Sequence, residues 1–246
     1  MNIKCVVPIS GGKDSQACLQ LAIMHFEKSE ILGLFCDTRW EHPITYGHIE
    51  KMKTHYGVEI KTLLSSSVAE QILKWMRFPN HARFCTDYLK IQPSKKFYKY
   101  LAEKQGHGFE VWYGMRSDES KEREKRYRGL IDTELYPPHE VLRNKYPKYL
   151  FNKFGVSFRL PVLDWSKKEI FELLGDFYNP LYDKDFDRIG CFPCMAAGDA
   201  TKEKAFAFDD FGKNQKVIMM KVADQIGKDI FTSKGGKARN CAICSI

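Results

Sequence analysis

The tightest constraint on this chain is six residues near its beginning, Ser10-Gly11-Gly12-Lys13-Asp14-Ser15, set between an apolar run, Cys5-Val6-Val7-Pro8-Ile9, and a helix-like segment, Gln16 to Phe26. A strand, a glycine turn and a helix start in that order make a phosphate site. Glycines let backbone N–H groups approach an anion, and the helix N-terminus adds favourable partial charge. Lys13 supplies a full positive charge, Ser10 and Ser15 supply hydroxyls, and Asp14 orients the loop or helps hold a magnesium ion. The loop is not a Walker motif, whose glycines are spaced around four residues; here they are adjacent. The plainer reading is an ordinary Gly-Gly turn between a strand and a helix.

The rest of the chain continues the same rhythm. Strand character is expected at Ile31 to Cys36, Val58 to Leu63, Phe109 to Gly114 and Val156 to Leu163, and helices at Ile44 to Tyr56, Val68 to Met76 and about Lys90 to Lys104. A polar loop is expected from Phe78 to Thr86. The alternation predicts an α/β fold, a mostly parallel twisted sheet with helices on both faces. Ligands of such sheets sit beyond the strand C-terminal ends, where the Ser-Gly-Gly loop, Asp37-Thr38 and Gly114-Met115-Arg116 all fall. Arg116 to Phe151 is polar and proline-punctuated and reads as a long, partly mobile insertion over the site. Ser166 is the expected N-cap of a helix. Beyond Asn179, cysteine-bearing loops surround one or two helices, centred on Lys202 to Phe208 and Asn214 to Ile226. A soft boundary near residue 165 divides a nucleotide-binding domain, 1–165, from a helical C-terminal segment, 166–246.

Composition narrows the class. The 246 residues are enough for one α/β domain with an appendage, and a hydrophobic fraction of 43% argues for a globular core. No apolar run approaches the roughly 18 residues of a membrane span, and the N-terminus has no signal-peptide pattern, so the expected location is the cytoplasm without a membrane partner. There, the eight cysteines read as buried thiols, metal ligands or catalytic thiols rather than disulfides. A formal net charge of +8 fits a polyanionic partner such as DNA, and equally a nucleotide substrate or a solvated basic surface.

Cys191-Phe192-Pro193-Cys194 and Cys241-Ala242-Ile243-Cys244 are both C-x-x-C pairs, able to bring two thiolates to one metal. Their separation, 46 residues from Cys194 to Cys241, far exceeds the roughly 15–20 of a compact zinc ribbon. A cluster assembled from distant loops fits better, with Cys85, in the basic stretch Arg83-Phe84-Cys85-Thr86, as a further ligand. A [4Fe–4S] cluster takes four cysteine thiolates; Cys85, Cys191, Cys194 and either Cys241 or Cys244 supply them. Structural zinc or a redox dithiol are the alternatives. Cys5, Cys18 and Cys36 lie in apolar contexts and read as core thiols.

Together these pieces resemble one family, the phosphoadenylylsulfate (PAPS) reductase-like branch of the PP-loop ATP pyrophosphatases, with its adenine nucleotide alpha hydrolase-like fold. The matching residues are Ser10 to Ser15; Asp37-Thr38 with Glu41 and Pro43; Arg83-Phe84-Cys85 with Lys90 and Pro93; Gly114-Met115-Arg116 with Glu119, Ser120 and Arg123; Pro161 to Trp165; and Arg188 to Cys194. The resemblance implies ATP and Mg2+ on the loop, Asp37 near the adenosine or a metal, and Arg116 and Arg123 on phosphate or sulfate oxygens; Arg123 otherwise reads as an ion pair with Glu119. Lys13, Asp14, Cys85 and Arg116 are the expected catalytic residues, and Gly114 lies in the nucleotide site. Reductases of this kind carry a C-terminal Glu-Cys-Gly tail followed by His, or an adjacent Cys-Cys pair. Here the corresponding residues are Asn240-Cys241-Ala242 and Phe84-Cys85.

Those departures favour the sulfurtransferase side, where the chain is similar to the ATP pyrophosphatases of DNA phosphorothioation (DndC/SspD type). That implies adenylation of a DNA backbone phosphate, sulfur supplied by a cysteine desulfurase, and DNA as partner; a homodimer is left open. The alternatives are a PAPS or adenylylsulfate reductase, a transfer RNA thiolation enzyme, and a non-catalytic zinc protein that binds nucleic acid.

Overall fold

The computed structural model describes residues 2–79, 83–142 and 145–231. Five parallel strands form one sheet in the order β3-β2-β1-β4-β5: β1 Cys5–Ile9, β2 Ile31–Asp37, β3 Ile60–Leu64, β4 Glu110–Trp112 and β5 Ser157–Arg159. β1 is buried along its whole length, as a central strand covered on both faces must be. The chain winds outward from β1 through β2 to β3, then returns to place β4 on β1's other side. The resulting switch point between β1 and β4 is where ligands of doubly wound sheets bind.

Alternate residues of β1 feed two cores. Cys5, Val7 and Ile9 face α1 (Lys13–His25), α2 (Pro43–Tyr56) and α9 (Lys167–Leu174), through Ala17, Cys18, Ile49, Met52 and Ile170. Val6 faces the opposite layer, built on α5 (Gln92–Gln105) through Phe97, Tyr98 and Leu101. Cys5, Cys18 and Cys36 are fully or nearly buried thiols, and burial raises the pKa of each.

Three departures from the sequence reading have physical causes. The segment after Arg116 is polar outside but not loose: it carries α6 (Lys121–Tyr127), α7 (Pro138–Val141) and α8 (Tyr149–Asn152). Its Tyr127, Val141, Leu142, Tyr146 and Leu150 complete the α5-side core. Tyr113 bridges the hydroxyls of Tyr98 and Tyr146, at 3.0 and 2.8 Å, so each buried phenol has a partner. The expected loop at 78–86 ends in a helical turn, α4 (Phe84–Thr86), which runs through a π turn at Asp87–Ile91 into α5. The strands at 109–114 and 156–163 are three residues each, because Gly114 and Pro161 lie where the chain leaves the sheet.

Ser166 and Ser67 head capping boxes, each accepting the N–H three residues on while Glu169 and Glu70 accept theirs. The C-terminal helices α10 (Asp199–Phe208) and α11 (Asp210–Ile226) share a further core with α3 (Val68–Trp75) and α4: Phe206, Met219 and Val222 join Val68, Ile72 and Phe84. No helix among the described residues is long and apolar enough to cross a membrane.

Candidate active site

The loop after β1 is held by its own side chains. Ser15 Oγ donates to Gly12 O at 2.9 Å and accepts from Ser10 N at 3.1 Å. Its proton thus committed, the 3.1 Å contact between the two serine hydroxyls takes Ser10 as donor, and Ser10 Oγ accepts from Gly12 N at 3.3 Å. Gly11 has φ +74°, and a Cβ there would lie 2.4 Å from Thr45 Cγ2. The second element of the motif is therefore fixed as glycine by conformation and by space.

Across the switch point, the chain leaving β4 presses against the start of α1. A Cβ on Gly114 would lie 2.6 Å from the Asp14 carbonyl carbon and oxygen. This closeness lets Arg116 Nε donate to Asp14 Oδ1 at 2.7 Å, while Lys13 Nζ meets Asp14 Oδ2 at 2.8 Å. Arg116 also pairs with Asp118 and donates to Trp165 O. One buried carboxylate thus holds two buried cations, both 4% exposed. Burial lowers the pKa of Lys13, with Asp14 opposing. Asp14 is engaged by Lys13 and Arg116, an orienting geometry. Two groups from the far side of the sequence complete the loop. Asn179 Nδ2 donates to Gly11 O at 3.0 Å and to Thr45 Oγ1 at 3.2 Å, and the Tyr182 hydroxyl accepts Lys13 N–H at 2.9 Å. Neither was visible in the sequence, since only the tertiary fold brings residues 179–182 against 11–13.

The remaining expected residues divide. Asp37, at the end of β2, accepts from Tyr46 Oη at 2.6 Å and Arg39 N at 2.7 Å. Arg123 is fully buried and pairs with Glu119, four residues before it and ahead of the Ser120 cap of α6. Cys85, Cys191 and Cys194 come together on the wall of one cavity of about 550 Å³, with Thr38, Arg83, Lys90 and Arg188. Cys241 and Cys244 lie outside the described residues. Among the described residues, no three Cys, His, Asp or Glu side chains are already gathered at metal-binding distance. The donor chemistry nonetheless fits a thiolate-bound group: three soft ligands from two segments face one space.

The cavity's charges are mutually dependent. Burial, then the neighbouring Cys194, push the Cys85 thiol up to about 11, with Lys90 opposing. Burial, then Glu41, raise Cys191 further. Burial alone would lower Lys90, but Cys191, when it is a thiolate, and Glu41 raise its pKa. Glu41 accepts from Thr38 Oγ1 at 2.7 Å, and Thr38 Oγ1 lies 3.4 Å from Cys191 Sγ. The Cys191 turn is stapled to the loop after β2: Phe192 N donates to Trp40 O at 2.7 Å, and Trp40 Nε1 donates to Pro193 O at 3.0 Å.

Comparison with known proteins agrees with this architecture. Residues 4–197 match the phosphoadenosine phosphosulfate reductase domain. An uncharacterised protein of Methanocaldococcus jannaschii is 32% identical over 81% of this chain and 38% of its own length. With a second relative from that organism, matched over 41% of its length, it shows that the chain spans well under half of these curated relatives. An adenosine 5′-phosphosulfate reductase of Anoxybacillus flavithermus is 27% identical over 66% of this chain and 61% of its own. The crystal structure of phosphoadenylyl-sulfate reductase from Candida auris, a phosphate complex, superposes with a TM-score of 0.52 at 17% identity, covering 77% of this chain and 81% of that one. The fold is that of the adenine nucleotide alpha hydrolase-like proteins, and the chain belongs to the phosphoadenosine phosphosulfate reductase domain family.

Proposed function

We propose that the protein is a PP-loop ATP pyrophosphatase and sulfurtransferase that adenylates a substrate oxygen, on a DNA backbone phosphate, and enables its replacement by sulfur. The observation that carries this reading is the adjacency of two sites. The loop that suits a nucleotide phosphate and the cavity bearing Cys85, Cys191 and Cys194 share Asp187, Arg188 and Ile189 as a common wall.

In the first step the substrate oxygen forms a bond to the α-phosphorus of Mg2+-bound ATP, the bond to the β-phosphate oxygen breaks, and pyrophosphate leaves. Lys13 and the loop amides stabilise the charge that develops, a preorganised arrangement that a dry site strengthens. Asp14 keeps Lys13 and Arg116 at the loop. In the second step a sulfur at the sulfide level bonds to the activated phosphorus and AMP departs with the bonding electrons. Cys85, Cys191 and Cys194, with one cysteine of the 241/244 pair, would hold a [4Fe–4S] group, whose chemistry is to carry such a sulfur. A cysteine desulfurase is the proposed source of that sulfur, its persulfide being brought to the sulfide level by two electrons from a thiol reductant, and the net charge of +8 supports DNA as partner.

A second reading, reduction of an adenylyl sulfate, draws on the family and on the Anoxybacillus relative. Anaerobically purified protein separates the two. The expected result is pyrophosphate released from ATP and stimulated by DNA, not by transfer RNA, with loss in Lys13→Ala. Sulfite release from adenylyl sulfate without ATP turnover would replace this reading by the reductase.

A further inference from the structure

The Lys13 amide opens the first turn of α1, where a bound phosphate oxygen would accept. In this structure the Tyr182 hydroxyl takes it, at 2.9 Å. The same ring stands 5.7 Å from Lys13 Nζ, so Tyr182 engages both the amide and the cation of the motif. Its hydroxyl would also lie 3.2 Å from a Cβ at Gly12, which places it against the glycine face of the loop. The space left between Ser10, Gly12, Lys13, Tyr182 and Arg188 is about 20 Å³. That is room for about one water molecule, and far below what a triphosphate fills.

We propose that Tyr182 is an internal competitor for the nucleotide: its hydroxyl occupies the phosphate-oxygen position at the start of α1 and must swing away before ATP can seat. This rests on residues 10–15 being the nucleotide phosphate site. The anchoring around Tyr182 suits a local swing. Asn179 stays tied to Gly11 and Thr45, and Asp185, in the left-handed conformation at φ 60°, ends the short helical turn Pro180–Lys184. Asp183, Lys184 and Asp185 are exposed, while Leu181 and Phe186 on either side stay in a buried cluster with Phe192 and Ala205, so the swing is confined to the turn that carries the Tyr182 ring. Asp187, Arg188 and Ile189 follow directly and wall both the loop and the cysteine cavity. Displacement of the Tyr182 ring therefore opens the loop at the edge of that shared wall.

Tyr182→Phe removes the competing oxygen and keeps the ring that packs on Phe171 at 5.4 Å. Without its partner the Lys13 amide is left unpaired until a phosphate arrives. The loss of one such hydrogen bond corresponds to roughly two- to tenfold tighter binding of both ATP and inorganic pyrophosphate. Calorimetric titration of wild type, Tyr182→Phe and Lys13→Ala with each ligand, alongside hydrogen exchange of residues 180–189, is the test. The inference predicts tighter binding by Tyr182→Phe, and faster exchange of 180–189 in wild type when ATP is bound. Unchanged or weaker binding by Tyr182→Phe, with wild type binding and Lys13→Ala not, overturns the role of Tyr182 alone. Absence of binding in all three overturns the phosphate-site reading and this inference with it.

Discussion

The phosphate loop and the cysteine cavity sit side by side, yet they are built on opposite plans. In the loop, Ser10, Gly12 and Ser15 satisfy one another, and Asp14 closes on Lys13 and Arg116, so nearly every polar group has a partner within van der Waals reach. In the cavity, three thiols and a buried lysine face an open 550 Å³ space, and burial keeps two of those thiols, Cys85 and Cys191, in their protonated form. The loop's own residues are fixed before any ligand comes, with only the Tyr182 hydroxyl to be displaced. The cavity is held poised, with its donors dependent on what enters. The contrast is that anion recognition needs preformed geometry, whereas thiol ligands gain their charge only when a cation or electrophile replaces the proton.

The sharpest way to break this comparison is to remove a member of the buried ion triad. Arg116→Ala strips Asp14 of one partner and leaves the Trp165 carbonyl without its donor; the expected loss is about 3–5 kcal/mol of stability, read by urea unfolding, with nucleotide binding abolished. A loss under 1 kcal/mol would mean the loop is not prestressed by its charges at all. Next is Gly114→Ala, whose Cβ meets the Asp14 backbone rather than a yielding side chain. About 3 kcal/mol of destabilisation is expected, and an unaltered denaturation midpoint would show that the strand ends separate freely.

Acid should loosen the loop side first. His48, 3% exposed, pairs its Nε2 with Gln16 Oε1 at 2.8 Å beneath α1, and burial, with Lys51 adding, lowers its pKa to about 4. The unfolded chain takes up that proton near pH 6.5 and the folded chain does not, so this stabilisation is present above pH 6.5 and is lost as pH falls toward 4. About 3 kcal/mol should disappear across that window, and His48→Gln should flatten the profile. Equal slopes in the two proteins would clear His48 of the effect. The smallest structural change is expected at the cavity. Cys85→Ser should alter stability by less than about 1 kcal/mol and leave pyrophosphate release intact while sulfur incorporation fails; parallel loss of both activities would merge the two sites into one.

The same division explains what the sequence could reveal. Ser10 to Ser15 were legible because their partners lie within five residues of one another, and β1 and β2 because their apolar runs are bounded by turns. Arg116 was legible as a cation near the loop, but not its bond to Asp14, 102 positions away. Tyr182 gave no local sign, since its partner Lys13 is 169 residues distant. The stretch after Arg116 misled because its charges are frequent while its core anchors, Tyr127, Leu142 and Tyr146, are sparse and follow no single period. Arg123 was open between an oxyanion contact and a pair with Glu119, and the structure shows that pair.

The staple between the Trp40 loop and the Cys191 turn bears on which substrates the protein can process. Because Phe192 and Pro193 are bonded to Trp40, and Trp40 follows directly on β2, the thiols ride on the same sheet as the phosphate loop. The span from nucleotide to sulfur is thus a dimension of the scaffold rather than an adjustable gap. On the proposed chemistry, the cargo must make up that distance itself, by reach or by rotation. A molecule too short or too stiff to do so would be activated and then stranded.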